Sequence, residues 1–362
     1  MNYYALLVAL VLVTALLMHG NREKNLKYVI VACLLLFAIY GLRNTYEIGG
    51  DTRTSYLGNF WRAQSMSWSA YLNNVGTHNR LFYVMTKLFC EYISTDYQLY
   101  ITLIAAFVTI CFGRLIYRYS PSPVQSILYH FGLLYFTFHF SALKQSIAMA
   151  ILMLAFDQII EKKPIRFILI VLLAGQFHFP ALIFLPTYWL AKVRVGKAYL
   201  IVLAILLILT YIFRNQIINL MMGTYKDTDS EIDLSGVQFI RTKALIMIVI
   251  VVAAVCFRTP TGEDHAYEVL LQFMGLAIVF QTFCGYNNIF ERLADYYFQF
   301  AVVFIPMVFD KDAHRKALFN WRFLDVADTI APFLFCGYGV YRFLMVMTYS
   351  SNLYPFVFYF QE

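Results

Sequence analysis

The sequence predicts an all-α fold: a polytopic transmembrane helical bundle of about twelve spans, with one external loop and amphipathic segment. Three observations carry that prediction. Of 362 residues, 61% are hydrophobic and only 14% are charged, whereas a soluble domain is about 45–50% apolar and about 25% charged. The mean hydropathy is +0.64 and aromatics make up 18% of the chain, which excludes a disordered polymer. The apolar runs are also continuous, as in Ala5 to Met18 and Ile201 to Leu209, not alternating as in the strands of an outer-membrane barrel.

A helix needs about 20 apolar residues to cross about 30 Å of hydrocarbon. Apolar runs bounded by polar or basic residues, or by Pro and Gly, place spans near 3–18, 28–42, 99–117, 124–140, 143–160, 165–177, 180–191, 198–214, 243–257, 267–284, 293–310 and 325–348. No stretch is long and polar enough for a soluble domain, so residues 1–362 are expected to form a single integral membrane domain. The first run has no basic residue ahead of it and no small-residue cleavage site, which predicts a retained span. The six cysteines are scattered, mostly in apolar segments, with no CxxC pair. They read as small hydrophobes.

Two elements need the charge pattern to place them. Ile165 to Leu190 is flanked by EKKPIR and AKVRVGK, with Gln176-Phe177-His178-Phe179-Pro180 in its middle. Basic flanks on both sides put both ends in the cytoplasm, giving a hairpin of two short helices with His178 near its far tip and Pro180 starting the second. The alternative is one long tilted span, which violates the charge rule. Leu81 to Tyr97 is apolar but carries Lys87 and Glu91, a helical i,i+4 pair. A crossing there would expel Arg114 and Arg118, so an interfacial or half-inserted helix is expected, and residues 43–98 form an external loop and interfacial segment.

These choices bring the loops of Arg22/Lys24/Lys27, Arg114/Arg118, Lys162/Lys163/Arg166, Lys192/Arg194/Lys197, Arg258 and Lys311/Arg315/Lys316/Arg322 to one side, the cytoplasm. The net charge of +7 then reads as topology, with no nucleic-acid partner implied. Both termini and the long segments Arg43 to Arg80 and Asn215 to Arg241 are expected outside.

The candidate chemistry is on that outer side. Arg43 ends the second span, and the loop NTYEIGGDTRTSY follows with Asp51 and Arg53. Gly49-Gly50 permit a tight turn that brings the Asp51 carboxylate against the membrane surface; a loop salt bridge from Asp51 to Arg43 or Arg53 is the plainer alternative. Lys144 and Gln145 open a helix whose dipole favours anions, although a lysine there can simply snorkel. His178 lies among apolar residues, and Glu291-Arg292 precede a span beginning Leu293-Ala294-Asp295.

Arg43, Arg53, Arg80, Lys144 and Arg292 are thus cations where the positive-inside rule does not put them. They point to an anionic ligand, and pyrophosphate suits arginine's bidentate fork. Met at the bilayer edge, it would be a lipid-linked pyrophosphate. GxxxxGK[ST], HExxH and GxSxG motifs are missing. Asp227 and Asp229 in KDTDSEID are the nearest approach to a DxD pair and read as a solvated loop, so no metal is expected.

Leu42-Arg43, Gly50-Asp51-Thr52 and Tyr56 together resemble the R-x(n)-G-x-D-x(n)-Y signature of EpsG-type, Wzy-like bacterial polysaccharide polymerases. Lys144-Gln145-Ser146-Ile147-Ala148 resembles that family's R-Q-x-[IL]-A helix start, and Phe177-His178-Phe179-Pro180-Ala181-Leu182 its F-H-x-S-A-[IL] element. Arg292 with Tyr296-Tyr297 and Pro306 is similar to its R-x(n)-Y-F…P helix, and Tyr354-Pro355 to its terminal Y-P. The departures are Lys144 for arginine, Pro180 for a small polar residue, and a segment THNRLFY without the expected acidic residue.

The resemblance implies a glycosyltransferase of the GT-C type, without cofactor or metal, at the outer face of the bacterial cytoplasmic membrane. Such an enzyme moves a growing glycan from an undecaprenyl pyrophosphate carrier onto a second lipid-linked repeat unit, in exopolysaccharide, capsule or O-antigen synthesis. The implied partners are the lipid-linked donor and acceptor, the lipid bilayer, and flippase and chain-length regulator proteins. Arg43, Lys144 and Arg292 would hold the pyrophosphate, with Arg53, Arg80, Gln145, Glu291, Tyr56 and Tyr296 around the substrate and His178 or Asp51 as base. A glycan ligase, a membrane acyltransferase or a lipid-linked glycan flippase or transporter remain the alternatives.

Overall fold

The computed structural model describes residues 2–18, 20, 22–195, 197–213, 216, 242–257, 264–281, 288–310 and 322–361. Among these, the regular structure is helical, apart from one antiparallel bridge between Arg43 and Phe358. Four segments are long and apolar enough to cross a membrane: Arg22–Gly41, Tyr97–Tyr119, Leu143–Ile160 and Thr329–Tyr349. Tyr3–Met18, Pro164–Phe177, Phe179–Leu190, Ile201–Thr210 and Lys243–Ala254 are apolar and shorter. Leu16, Ile110 and Phe333 are 86%, 68% and 74% exposed. Apolar side chains turned outward along whole helices fit lipid as the solvent, and the architecture agrees with a polytopic helical membrane protein.

Leu143–Ile160 is the central helix, buried along both flanks where it packs on Tyr97–Tyr119 and Pro164–Phe177. Arg22–Gly41 lies against Tyr97–Tyr119 and Tyr3–Met18, and Pro123–Gly132 against Arg322–Tyr349. The last pair meets through glycines. A Cβ added to Gly132 would lie 2.5 Å from the Gly339 Cα, so the two backbones touch, as small residues allow between helices in lipid.

Several expected spans are interrupted. The 124–140 run folds as Pro123–Gly132 and a short Tyr135–Phe138 helix, because Leu134 takes a left-handed φ of 64° that ends the α-ladder. The 293–310 run divides into Asn288–Phe298 and Ala301–Val308. There the Gln299 amide donates to the Tyr296 carbonyl at 3.2 Å, competing with helix bonds. The 180–191 run is a 3₁₀ turn, Phe179–Phe184, followed by Thr187–Leu190, and Pro186 between them supplies no N–H.

The interfacial segment is a helix, Arg80–Tyr92. Its length of about 20 Å falls short of the about 30 Å of a bilayer core. Lys87 lies 3.6 Å from Glu91. It also donates to the Ala63 and Met66 carbonyls at 2.9 Å each, where the Leu57–Ser65 helix ends and a cation is favoured.

At one end of the bundle, the buried Asp157 takes Arg114, Arg118 at 3.1 Å and the Tyr119 hydroxyl at 2.6 Å. Glu161 takes Arg118 at 2.7 Å and Lys163 at 2.6 Å, and the hydrogen bonds from Lys163 and Arg118 hold its carboxyl down to about 2. Two of the basic connectors assigned to the same side thus meet here. At the other end, the C-terminal segment covers the loop after Gly41. Asn44 N–H donates to the Val357 carbonyl at 2.8 Å, Gly49 N–H to Asn352 at 2.8 Å, and Tyr359 N–H to Leu42 at 3.1 Å. The expected external segment 215–241, with Asp227 and Asp229, lies outside the described residues except for residue 216.

Candidate functional site

The first part of the site is the turn at Gly49. Gly49 has φ +123°, and a Cβ there would lie 2.1 Å from Thr52 Oγ1 and 2.9 Å from the Phe140 carbonyl oxygen, so the backbone conformation and the space both require glycine. Thr52 Oγ1 donates to the Phe140 carbonyl at 2.8 Å, and the Tyr97 hydroxyl donates to the Thr52 carbonyl. Asp51 therefore stands at the head of one π-helical turn, Thr52–Tyr56, that runs on into Leu57–Ser65. Its carboxylate is half-buried and makes no hydrogen bond or ion pair among the described residues. The salt bridge to Arg43 or Arg53 does not form.

Those two arginines have other partners. Arg53 is exposed and donates to the Glu47 carbonyl at 3.4 Å. Arg43 is fully buried beneath the loop. Its Nε donates to the Ile48 carbonyl at 3.2 Å and one Nη to the Tyr40 carbonyl. The guanidinium lies 4.6 Å from the Phe140 ring centre and 5.0 Å from that of Tyr40, and the second Nη has no partner. Burial lowers its pKa. In this position Arg43 pins the glycine turn from below and is closed to a ligand from outside.

The second part is built on the first turn of the Leu143–Ile160 helix. Lys144 N–H reaches the Tyr56 hydroxyl at 3.4 Å and its ammonium donates to the Tyr83 hydroxyl at 2.7 Å. Aromatic faces surround that ammonium, with the Tyr83, Phe82 and Tyr56 ring centres at 4.4, 5.3 and 5.9 Å. Gln145 Nε2 donates to the Arg292 carbonyl at 2.8 Å and leaves its buried Oε1 without a partner. The central helix thereby fixes the start of the Arg292 segment.

His178 closes the constellation. It ends the Pro164–Phe177 helix in an extended conformation and its Nδ1 pairs with the hydroxyl of the fully buried Tyr296. Asn79, held at φ 59°, accepts the Phe179 N–H at 2.7 Å, which draws the exposed Arg80 toward the histidine turn. Burial, then the charges of Lys144 and Arg292, push the imidazole down to about 3, so it is neutral at ordinary pH. Burial also raises the Tyr56 phenol, and its potential carries the opposed influences of Asp51 and Arg292. Asp51, Tyr56, Tyr83, Lys144, His178, Arg292 and Tyr296 therefore gather in one region, from five segments of chain. Arg43 and Arg53 are apart from it, and the Glu291 side chain lies outside the described residues.

Beside Arg292 is a cavity of about 440 Å³ between the Tyr135–Phe138 elbow and the helices of Lys243, Asp295 and Arg342. Asp295 pairs with Lys243 and accepts the Tyr135 hydroxyl at 3.0 Å. Sequence reasoning missed Lys243, Arg342 and Tyr83. A signal existed for Arg342, a charge inside an apolar run that itself marks a functional candidate; for Tyr83, one of 28 tyrosines, none did. Among the described residues no group of three His, Cys, Asp or Glu is placed to hold a metal ion.

No curated protein and no solved structure matches the chain. A family model described as the EpsG family matches residues 26–358, a range that holds every element of the site. In agreement with the resemblance read from its motifs, the chain belongs to the EpsG family.

Proposed function

We propose that this protein is a membrane glycosyltransferase that polymerises lipid-linked repeat units at the outer face of the bacterial cytoplasmic membrane. The observation that carries the reading is the convergence of two cations, Lys144 and Arg292, on a neutral histidine held by Tyr296. A transfer from undecaprenyl pyrophosphate needs that pair of properties: charge to receive a departing pyrophosphate and a base for the attacking hydroxyl. Membership of the EpsG family supports a polysaccharide polymerase-like role.

The acceptor sugar hydroxyl attacks the anomeric carbon of the donor glycan. The new C–O bond forms as the bond from that carbon to the pyrophosphate oxygen breaks, and the bonding pair leaves with undecaprenyl pyrophosphate. The hydroxyl proton passes to the base. With His178 Nδ1–H donating to the Tyr296 oxygen, Nε2 keeps its lone pair for that proton. Asp51, unpaired at the head of its turn, is the second candidate. Lys144 and Arg292 stabilise the leaving anion, and Arg80 and Tyr56 border it. In this reading the bundle crosses the membrane about twelve times, and Lys163 and Arg80 lie on opposite sides.

The test is glycan ladder analysis in a strain lacking the gene. Wild-type chain restores long polymer, while Asp51→Ala, His178→Ala and Arg292→Ala leave lipid-linked single units. Full-length ladders from all three variants at normal protein levels would refute the site. Single units that never reach the outer leaflet would favour a transporter. Cysteine placed at Arg80, but not at Lys163, should react with an impermeant maleimide in intact cells; the reverse labelling would invert the topology.

A further inference from the structure

We infer that the cavity between the Tyr135–Phe138 elbow, Lys243, Arg292 and Arg342 is a pyrophosphate-binding pocket, adjoining the Lys144 cluster at Arg292, that receives the leaving carrier of the donor. The inference rests on the proposed polymerase reading for the identity of its ligand and on the cavity's own chemistry for its charge.

The pocket measures about 440 Å³, within the range of small-molecule sites and ample for a diphosphate. Among the described residues that line the pocket, Lys243, Arg292 and Arg342 are cationic and Asp295 is the one carboxylate. Arg342 donates to the Gly132 carbonyl at 3.3 Å, a neutral acceptor that does not compensate its charge. The Arg292 side chain makes no hydrogen bond or ion pair among the described residues and is exposed. Two guanidinium forks and an ammonium match the phosphate oxygens of a pyrophosphate.

The pocket and the Lys144 cluster share Arg292 alone. The Lys144 ammonium already bonds Tyr83 and lies among three aromatic rings, whereas the cavity lining includes Arg292, Arg342 and Lys243 but not Lys144, Tyr56, Tyr83 or His178. Arg292 belongs to both, and its charge is felt at His178. Geometry then selects the donor. The bond that breaks joins the transferred sugar to its own pyrophosphate, so that pyrophosphate must lie beside the base. The acceptor's pyrophosphate is a whole repeat unit away from its reacting hydroxyl. Asp295 pairs with Lys243 at the pocket, and an arriving pyrophosphate would compete for that ammonium.

The experiment measures binding of geranyl pyrophosphate, geranyl monophosphate and inorganic pyrophosphate to the full chain purified in detergent. The wild type should bind geranyl pyrophosphate most tightly. Arg342→Gln and Lys243→Gln should each weaken it about tenfold or more, the scale of one charge-assisted hydrogen bond, and Arg342→Lys should lose less. Melting curves of the unliganded variants separate lost binding from lost folding. Inorganic pyrophosphate binding as tightly as the geranyl ester would assign the pocket to a free anion. Unchanged affinity in folded Arg342→Gln and Lys243→Gln, or no binding by the wild type, would overturn the inference. The glycan ladders read the other claim: folded variants that lose affinity but keep full polymer, or keep affinity but lose polymer, overturn the pocket and leave the polymerase reading, whereas a wild-type chain that fails to restore polymer in the deletion strain refutes the polymerase reading and leaves the measured affinity standing.

Discussion

Replacing Gly49 by alanine puts the loop geometry to a quantitative test. The added methyl meets Thr52 Oγ1 at 2.1 Å and the Phe140 carbonyl oxygen at 2.9 Å, at a φ of +123°. The dihedral alone costs about 1–3 kcal/mol for a residue with a Cβ, and forcing a methyl into filled space costs about 1–3 kcal/mol more. The expected loss is therefore about 2–6 kcal/mol, read as a lowered midpoint in a thermal melt of detergent-purified protein. Removing the nearer obstacle in Thr52→Ala gives a cycle. That change alone costs about 1 kcal/mol for the lost bond to Phe140, and in the Gly49→Ala background it should cost less or restore stability, because the 2.1 Å clash disappears. Polymer should be lost in Gly49→Ala even where folded protein persists, since the turn aims Asp51. A variant that melts with the wild type, or a cycle that is strictly additive, would refute the account of why glycine is here.

Arg43→Ala should reduce folded protein and polymer together, by about 2–4 kcal/mol of stability from orphaned carbonyls and lost ring contacts, whereas Arg292→Ala should abolish polymer at wild-type abundance; equal abundance of both variants would remove the distinction between a buried pin and a site cation. Burial, then the charges of Lys144 and Arg292, push His178 down to about 3 from 6.5, so it adds stability that is lost as pH falls from about 6.5 toward 3, when the unfolded chain binds the extra proton. A bound pyrophosphate offsets Lys144 and Arg292, so the acidic limb of kcat should lie above that of kcat/KM, and Lys144→Gln should move the kcat/KM limb upward; a downward shift would contradict the electrostatics. Asp157→Asn should lower the melting midpoint by the equivalent of about 2 kcal/mol, because the partners Arg114 and Arg118 are partly exposed and discount a buried pair; Arg114→Gln alone, with Arg118 still in place, should cost less.

Much of the architecture was readable from single residues. The Lys87–Glu91 spacing announced a helix, and 3.6 Å separates the pair in the folded chain. The tip at His178 and the turn at Gly49 followed from Pro180 and from Gly49-Gly50. The interruptions were not readable, because Leu134 is an apolar residue whose left-handed φ is imposed by its neighbours, and hydropathy does not register a dihedral. Of the candidate site the sequence offered only a set of unlike residues on one expected side, while the motif order pointed to the EpsG family.

What the sequence determined by itself is the solvent: too few charges for a water-facing surface, helices rather than strands, and single cations at the ends of apolar runs. Tertiary structure alone decided which of those cations are buried and which stand together. Arg43, the first residue of the resemblance, is buried under the glycine turn, while Lys243 and Arg342, from distant apolar runs, come to Arg292 across an elbow. The physical reason is that charge and hydropathy are properties of single residues. Burial and mutual distance depend on how segments far apart in the chain pack together, and that packing is settled only when every segment has found its neighbours.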